Sequence, residues 1–145
     1  MRQVLVLHLL GRYEDSASAS QQAIALKPDS SKAYQNMGHA LRQLKQHEEA
    51  VAAYRRALAI EPQDPELHKD LGAALKDAGQ YEGALASFRR ALELQPDSDI
   101  TLNLLAVALM DSGRYDEAIE TYRRGLALNP DGFYIHSNIL FTLNY

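Results

Sequence analysis

The sequence has no cysteine in its 145 residues, which excludes disulfides and thiolate-held metals. It also lacks any apolar run near the roughly 20 residues that a membrane-spanning helix needs. The most apolar stretch, Val4 to Leu10, is short and interrupted by His8. With Met1-Arg2 before it and small residues from Ser16 to Ser20 after it, this stretch has the outline of a signal peptide. The repeat phase described below claims it for a helix instead, and the chain is expected in the cytoplasm. Basic residues are not in excess: 15 Lys and Arg stand against 19 Asp and Glu, a formal net charge of −4. Nucleic-acid binding draws on a concentrated basic face, so that class of partner is set aside. No phosphate loop, nucleophile elbow or dinucleotide glycine motif occurs, and neither a catalytic residue nor a cofactor is expected. The histidines, His8, His39, His47, His68 and His136, include no pair at the i, i+4 spacing of a helical metal site. No metal site is expected.

What the sequence does have is self-similarity. Pro28, Pro62, Pro96 and Pro130 are spaced 34 residues apart, a period that marks a repeat architecture. The segments leading into them match: Gln22 to Pro28, Arg56 to Pro62, Arg90 to Pro96 and Arg124 to Pro130. A second marker holds the same phase, with Gly11-Arg12-Tyr13-Glu14, Gly79-Gln80-Tyr81-Glu82 and Gly113-Arg114-Tyr115-Asp116. In the remaining copy Lys45-Gln46-His47-Glu48 stands there instead.

Within each copy the apolar residues have helical spacing. Tyr34, Met37, Gly38 and Leu41 fall at i, i+3, i+4 and i+7, as do Ala50, Tyr54, Ala57 and Leu58 in shifted form. Each copy is therefore two helices, A and B, joined by a short turn. Asp64 is placed to cap helix A of one copy, with Pro65 in its first turn, and Asp97 or Ser98 to cap the next. Gly11, Gly79 and Gly113 fall just past helix A, where a left-handed residue closes a helix. Lys45 in that role costs roughly 1 kcal/mol. Gly38, Gly72 and Ala106 align on helix A, and Tyr54, Phe88 and Tyr122 align on helix B. The small residues let two helices approach, and the rings fill the space between layers. Such a unit cannot bury its apolar face alone and stacks on its neighbours.

The 34-residue period, with Gly or Ala, Gly-x-Tyr, Ala, an aromatic, Ala and Pro in fixed order, resembles the tetratricopeptide repeat over nearly the whole chain. The resemblance implies an all-α, right-handed superhelical solenoid of antiparallel helix pairs. Full repeats are expected at 31–64, 65–98 and 99–132. Residues 1–30 would hold a clipped helix A and a full helix B, and 133–145 a helix A only. The family binds peptides or partner helices in a concave groove lined by helix A. By position, that implies a protein or peptide ligand and a groove containing Lys32, Gln35, Asn36, His39, Gln43, Lys69, Asp70, Asn103 and Asn138. The clamp that some family members use for a C-terminal carboxylate is not matched, because Gln35 and His39, or Lys69 and Ala73, stand at its first Lys-x-x-x-Asn pair.

O-linked N-acetylglucosamine transferases carry a ladder of asparagines on the A helices. The matching positions hold Asn36, Asp70, Leu104 and Asn138, so the ladder is broken at Leu104, beside Asn103. Tyr134 to Tyr145 resembles the junction at which bacterial transferases of this type pass from repeats into the glycosyltransferase region. That implies a chain forming the recognition arm of such an enzyme; the other reading is a stand-alone assembly scaffold. The last helix A presents Ile139, Leu140 and Leu143 where a helix B would pack, so self-association through a chain end is expected. The recurring pairs Arg55-Arg56, Arg89-Arg90 and Arg123-Arg124 form a stripe on the B helices. It is either a docking surface for an acidic partner or a solvated face.

Overall fold

The computed structural model of the chain describes residues 2–132, with side chains from residue 9 onward. Seven α-helices occur among the described residues: α1 (Arg2–Leu26), α2 (Ser31–Gln43), α3 (His47–Ile60), α4 (Pro65–Asp77), α5 (Tyr81–Leu94), α6 (Asp99–Asp111) and α7 (Tyr115–Leu128). The chain divides into two units, Met1–Leu67 and His68–Tyr145, and each is described by itself.

Helix ends follow from local chemistry. Ser30 caps α2 by accepting a hydrogen bond from Ala33 N at 3.2 Å, and Ser98 caps α6 by accepting one from Thr101 N at 3.2 Å. Of the two caps expected for α6, Ser98 is the one used. Asp64 Oδ1 accepts from Glu66 N at 2.9 Å, just ahead of Pro65 at the first position of α4. There the missing N–H of proline removes a donor that had no partner in any case.

The A-to-B turns share one geometry. Lys45 N–H donates to the Arg42 carbonyl and Gln46 N–H to the Leu41 carbonyl. Gly79 with Gln80, and Gly113 with Arg114, repeat both bonds. This is a Schellman closure, which needs a left-handed residue. Gly79 has φ 77°, Gly113 has φ 81° and Lys45 has φ 62°. Lys45 thus carries the left-handed strain that its sequence position implied. Acidic residues sit in the first turn of α3, α5 and α7, where they meet the positive end of the helix dipole.

Gly11 does not behave as expected. Its spacing predicts a hairpin turn, but α1 runs through it without interruption from Arg2 to Leu26, and among the described residues the left-handed glycines are Gly79 and Gly113. The reason lies in what a hairpin must pack. In the next two copies an aromatic ring lies in a notch on helix A: a Cβ added to Gly38 would stand 2.7 Å from the Tyr54 ring, and one added to Gly72 would stand 2.7 Å from the Phe88 ring. The first copy has Ser20 at the ring position. The Ser20 hydroxyl turns back to donate to the Ser16 carbonyl at 2.9 Å. With no ring to hold a hairpin shut, a glycine that tolerates the right-handed region lets the helix continue, at a cost of about 1 kcal/mol.

In the first unit, α1 packs on α2 and α2 on α3. Tyr34, Ala57 and Leu67 are buried together, with Ile24, Met37, Leu58 and Ile60 against them. Ser31 of α2 donates to the Glu61 carboxylate beyond α3. In the second unit, α5 packs on α6 and α6 on α7. Leu85, Phe88, Leu102, Leu109 and Tyr122 are almost wholly buried there. Asn129 donates to Asp99 at 2.9 Å; this pair stands 68 residues after Ser31 and Glu61 in the sequence, with the donor on the other side.

Candidate peptide-binding site

In α2 the apolar face fixes which residues look outward. Ala33, Tyr34, Gly38 and Ala40 are buried. Lys32, Asn36, His39 and Gln43 are then exposed and Gln35 is half-buried. Lys32 Nζ donates to Gln35 Oε1 at 3.3 Å. The His39 ring stands edge-on to Tyr54, with centroids 5.7 Å apart and planes at 61°, so His39 also covers the core ring behind it.

Two of these residues share a cleft. Lys32 and Asn36 line a space of about 340 Å³ between α1 and α2, with Ser16, Ala19, Ser20 and Ala23 on the α1 side and Ser30 and Ala33 beside them. Small side chains make the hollow. An amide and an ammonium at its edge can meet a peptide unit, because an amide both donates and accepts. Gln35, His39 and Gln43 do not line this cleft. The serines on its far wall were not singled out from the sequence; the signal for them was Ser20 standing in place of an aromatic ring.

The second unit is different. On α4, Lys69 is half-buried and Asp70 is only 8% exposed. Both already interact with other groups in the structure, as does Asn103 on α6, which is half-buried. Asp70 therefore does not offer the open rung that its alignment with Asn36 suggested, because its side chain is enclosed. The α6 helix is apolar nearly all round: Leu102, Leu105 and Leu109 are buried while Ile100 stays 56% exposed. Asn138, Ile139, Leu140 and Leu143 lie outside the described residues.

The arginine stripe is partly engaged. Arg89 reaches Glu117 at 3.4 Å and Arg90 reaches Glu93 at 2.8 Å; outside the stripe, Arg114 reaches Glu82 at 2.8 Å. The Arg56 guanidinium lies 5.8 Å from the centre of the Tyr34 ring. Burial, reinforced by the charge of Asp111, pushes the Tyr122 phenol up to about 12, and its buried hydroxyl has no hydrogen-bond partner. Among the described residues no group of three or more His, Cys, Asp or Glu is placed to hold a metal. No helix among them is long and apolar enough to cross a membrane.

Comparison with known proteins now bears on this arrangement. Profiles described as tetratricopeptide or TPR repeat match residues 19–52, 38–79 and 69–133. No curated protein matches the sequence. Among solved structures, the crystal structure of MamA superposes with a TM-score of 0.85 at 16% identity, covering 92% of this chain and 78% of that one. TTC0263, a thermophilic TPR protein of Thermus thermophilus, gives 0.83 at 22% identity, covering 94% and 75%. At such identities the likeness speaks to fold alone, and the fold is the all-α solenoid of antiparallel helix pairs. Tetratricopeptide repeats form a scaffold, and proteins of the family bind protein or peptide partners. The chain is a tetratricopeptide repeat protein.

Proposed function

We propose that the chain binds an extended peptide of a protein partner on its A helices, as the recognition arm of an O-linked N-acetylglucosamine transferase-like enzyme. The observation that carries peptide binding is the α1–α2 cleft, which has Lys32 and Asn36 at its edge and is hollowed by small residues. An amide there reads peptide backbone without demanding a sequence. Titrating a random peptide library against the chain tests this. Asn36→Ala should weaken binding about tenfold, the worth of one or two hydrogen bonds. Unchanged affinity would overturn the role of the cleft.

The glycosyltransferase assignment is supported by the resemblance of Tyr134 to Tyr145 to a repeat-to-enzyme junction. Reading the coding sequence after the Tyr145 codon tests it. An in-frame glycosyltransferase region would support the assignment, and a stop codon would leave a stand-alone assembly scaffold. Self-association through Ile139, Leu140 and Leu143 belongs to the same proposal. Light scattering over a wide concentration range should show the mass rising to a dimer; a constant monomer mass would remove that part.

A further inference from the structure

A second cleft in the first unit lies between α1 and α3, over α2. It holds about 390 Å³, within the size range of ligand pockets, and has the apolar floor and few polar groups that such pockets show. Tyr34, Met37 and Leu41 form its floor. Its rim carries Gln21 from α1 and Glu49 and Arg56 from α3. None of the cleft residues used here is among those proposed above to bind peptide.

The same cleft is built again in the second unit, between α5 and α7 over α6. There the residues 68 positions on, Arg89 and Glu117, join across the mouth at 3.4 Å. The first unit has Gln21 and Glu49 at those positions, so no ion pair of that kind can form; Met37 and Leu41 are half-buried, where Leu105 and Leu109 are buried beneath a cleft of about 540 Å³. Arg56 lies over the Tyr34 ring, which fixes a cation at one end of the opening. Glu49 fixes an anion at the other. The two are seven residues apart on one helix, about 10 Å along its axis. That matches roughly three residues of extended chain.

We infer that the α1–α3 cleft docks an extended segment of a partner protein that puts one bulky apolar side chain onto Tyr34, Met37 and Leu41, with a basic residue toward Glu49 and an acidic residue three positions away toward Arg56. The inference goes beyond the A-helix reading and uses a different face. Charge complementarity sets the direction of the bound segment, and the apolar anchor supplies most of the affinity.

The probe is a fluorescein-labelled peptide of lysine, phenylalanine, alanine and aspartate between glycines, followed by fluorescence anisotropy. Saturable binding is expected, and it should fall at least tenfold when the phenylalanine is replaced by serine. Gln21→Arg, which recreates the bridge of the second unit at an exposed position, should weaken it severalfold. The double variant Glu49→Arg with Arg56→Glu should lose the peptide and bind one with lysine and aspartate exchanged; circular dichroism checks that each variant folds. No saturable binding up to millimolar peptide would overturn the inference. So would binding that Asn36→Ala abolishes and Gln21→Arg leaves unchanged, which would assign the peptide to the α1–α2 cleft.

Discussion

The cleft over α2 and the cleft over α6 use the same helix positions 68 residues apart, yet they present different surfaces. Met37 and Leu41 recur as Leu105 and Leu109. The floor is the part that packing dictates, since an A helix must bury this face between two B helices. The rim is free to vary, and it does: Gln21 becomes Arg89 and Ala52 becomes Glu120. Tyr34 gives way to Leu102, which offers no ring face to Arg124. A repeat thus keeps its scaffold by apolar shape and acquires individuality at exposed positions that cost little to change.

The largest test of this comparison removes the floor. Tyr34→Ala should cost about 3–5 kcal/mol of stability, since Tyr34 is 8% exposed and packs with Ala57 and Leu67. Leu102→Ala should cost about 2–5 kcal/mol at the matching place, where the side chain is 1% exposed. Urea denaturation measures both. A loss under 1 kcal/mol at either site would mean that the floor is not the shared structural element.

The second test concerns buried rings. Tyr122 buries a hydroxyl with no partner, while Phe88, one repeat earlier, has none to bury. Tyr122→Phe should therefore stabilise the chain by about 1 kcal/mol. It should also change the alkaline limb of stability. The folded phenol titrates near 12 against an ordinary 10. Between those values the unfolded chain has lost a proton that the folded chain keeps, so stability falls as pH rises through that window. Below pH 10 this group contributes no slope. The phenylalanine variant should lose that part of the decline; an unchanged decline from pH 10 to 12 would mean that Tyr122 is not its source.

Much of the fold was legible in the sequence because a 34-residue period is visible in Pro, Gly and aromatic positions whose roles are steric. The left-handed turns at Lys45, Gly79 and Gly113 could be read this way, whereas the Tyr54 and Phe88 rings, expected between layers, sit against Gly38 and Gly72 of their own repeats. Gly11 misled because a glycine permits a turn without requiring one, and the missing ring at Ser20 decided the matter. The candidate site was less legible. Asn36, Asp70 and Leu104 occupy one repeat position, yet Asn36 is exposed and Asp70 enclosed. That difference comes from side chains around each helix and leaves no trace in the period. The clefts were not legible at all, since they depend on which rim residues meet across two helices.

A smaller effect separates the turns. Among the described residues Lys45 is the non-glycine residue at a left-handed position, so Lys45→Gly should stabilise the chain by about 0.5–1 kcal/mol, the relieved strain less the extra entropy of an unfolded glycine. The reverse change, Gly79→Ala, should destabilise by about 1 kcal/mol although nothing lies within 4 Å of the added Cβ. Thermal melts of the two variants should move in opposite directions. Shifts of the same sign would show that turn strain is not what distinguishes them.

The smallest effect on stability bears most directly on the clefts. Arg89→Gln gives the second cleft the residue that the first has at Gln21. Arg89 and Glu117 are both about half exposed, so water and salt screen their attraction, and losing the pair should cost less than about 1 kcal/mol. Its consequence for access is bounded by that energy, about fivefold at most. The pair lines the same cleft as Leu105 and Leu109, and removing it should ease the access of an apolar probe to those side chains. An environment-sensitive dye should bind Arg89→Gln more than the parent chain, and Gln21→Arg less, with stability nearly constant in both. If dye binding follows stability instead, the ion pair is an ordinary surface contact and the two clefts differ only in composition.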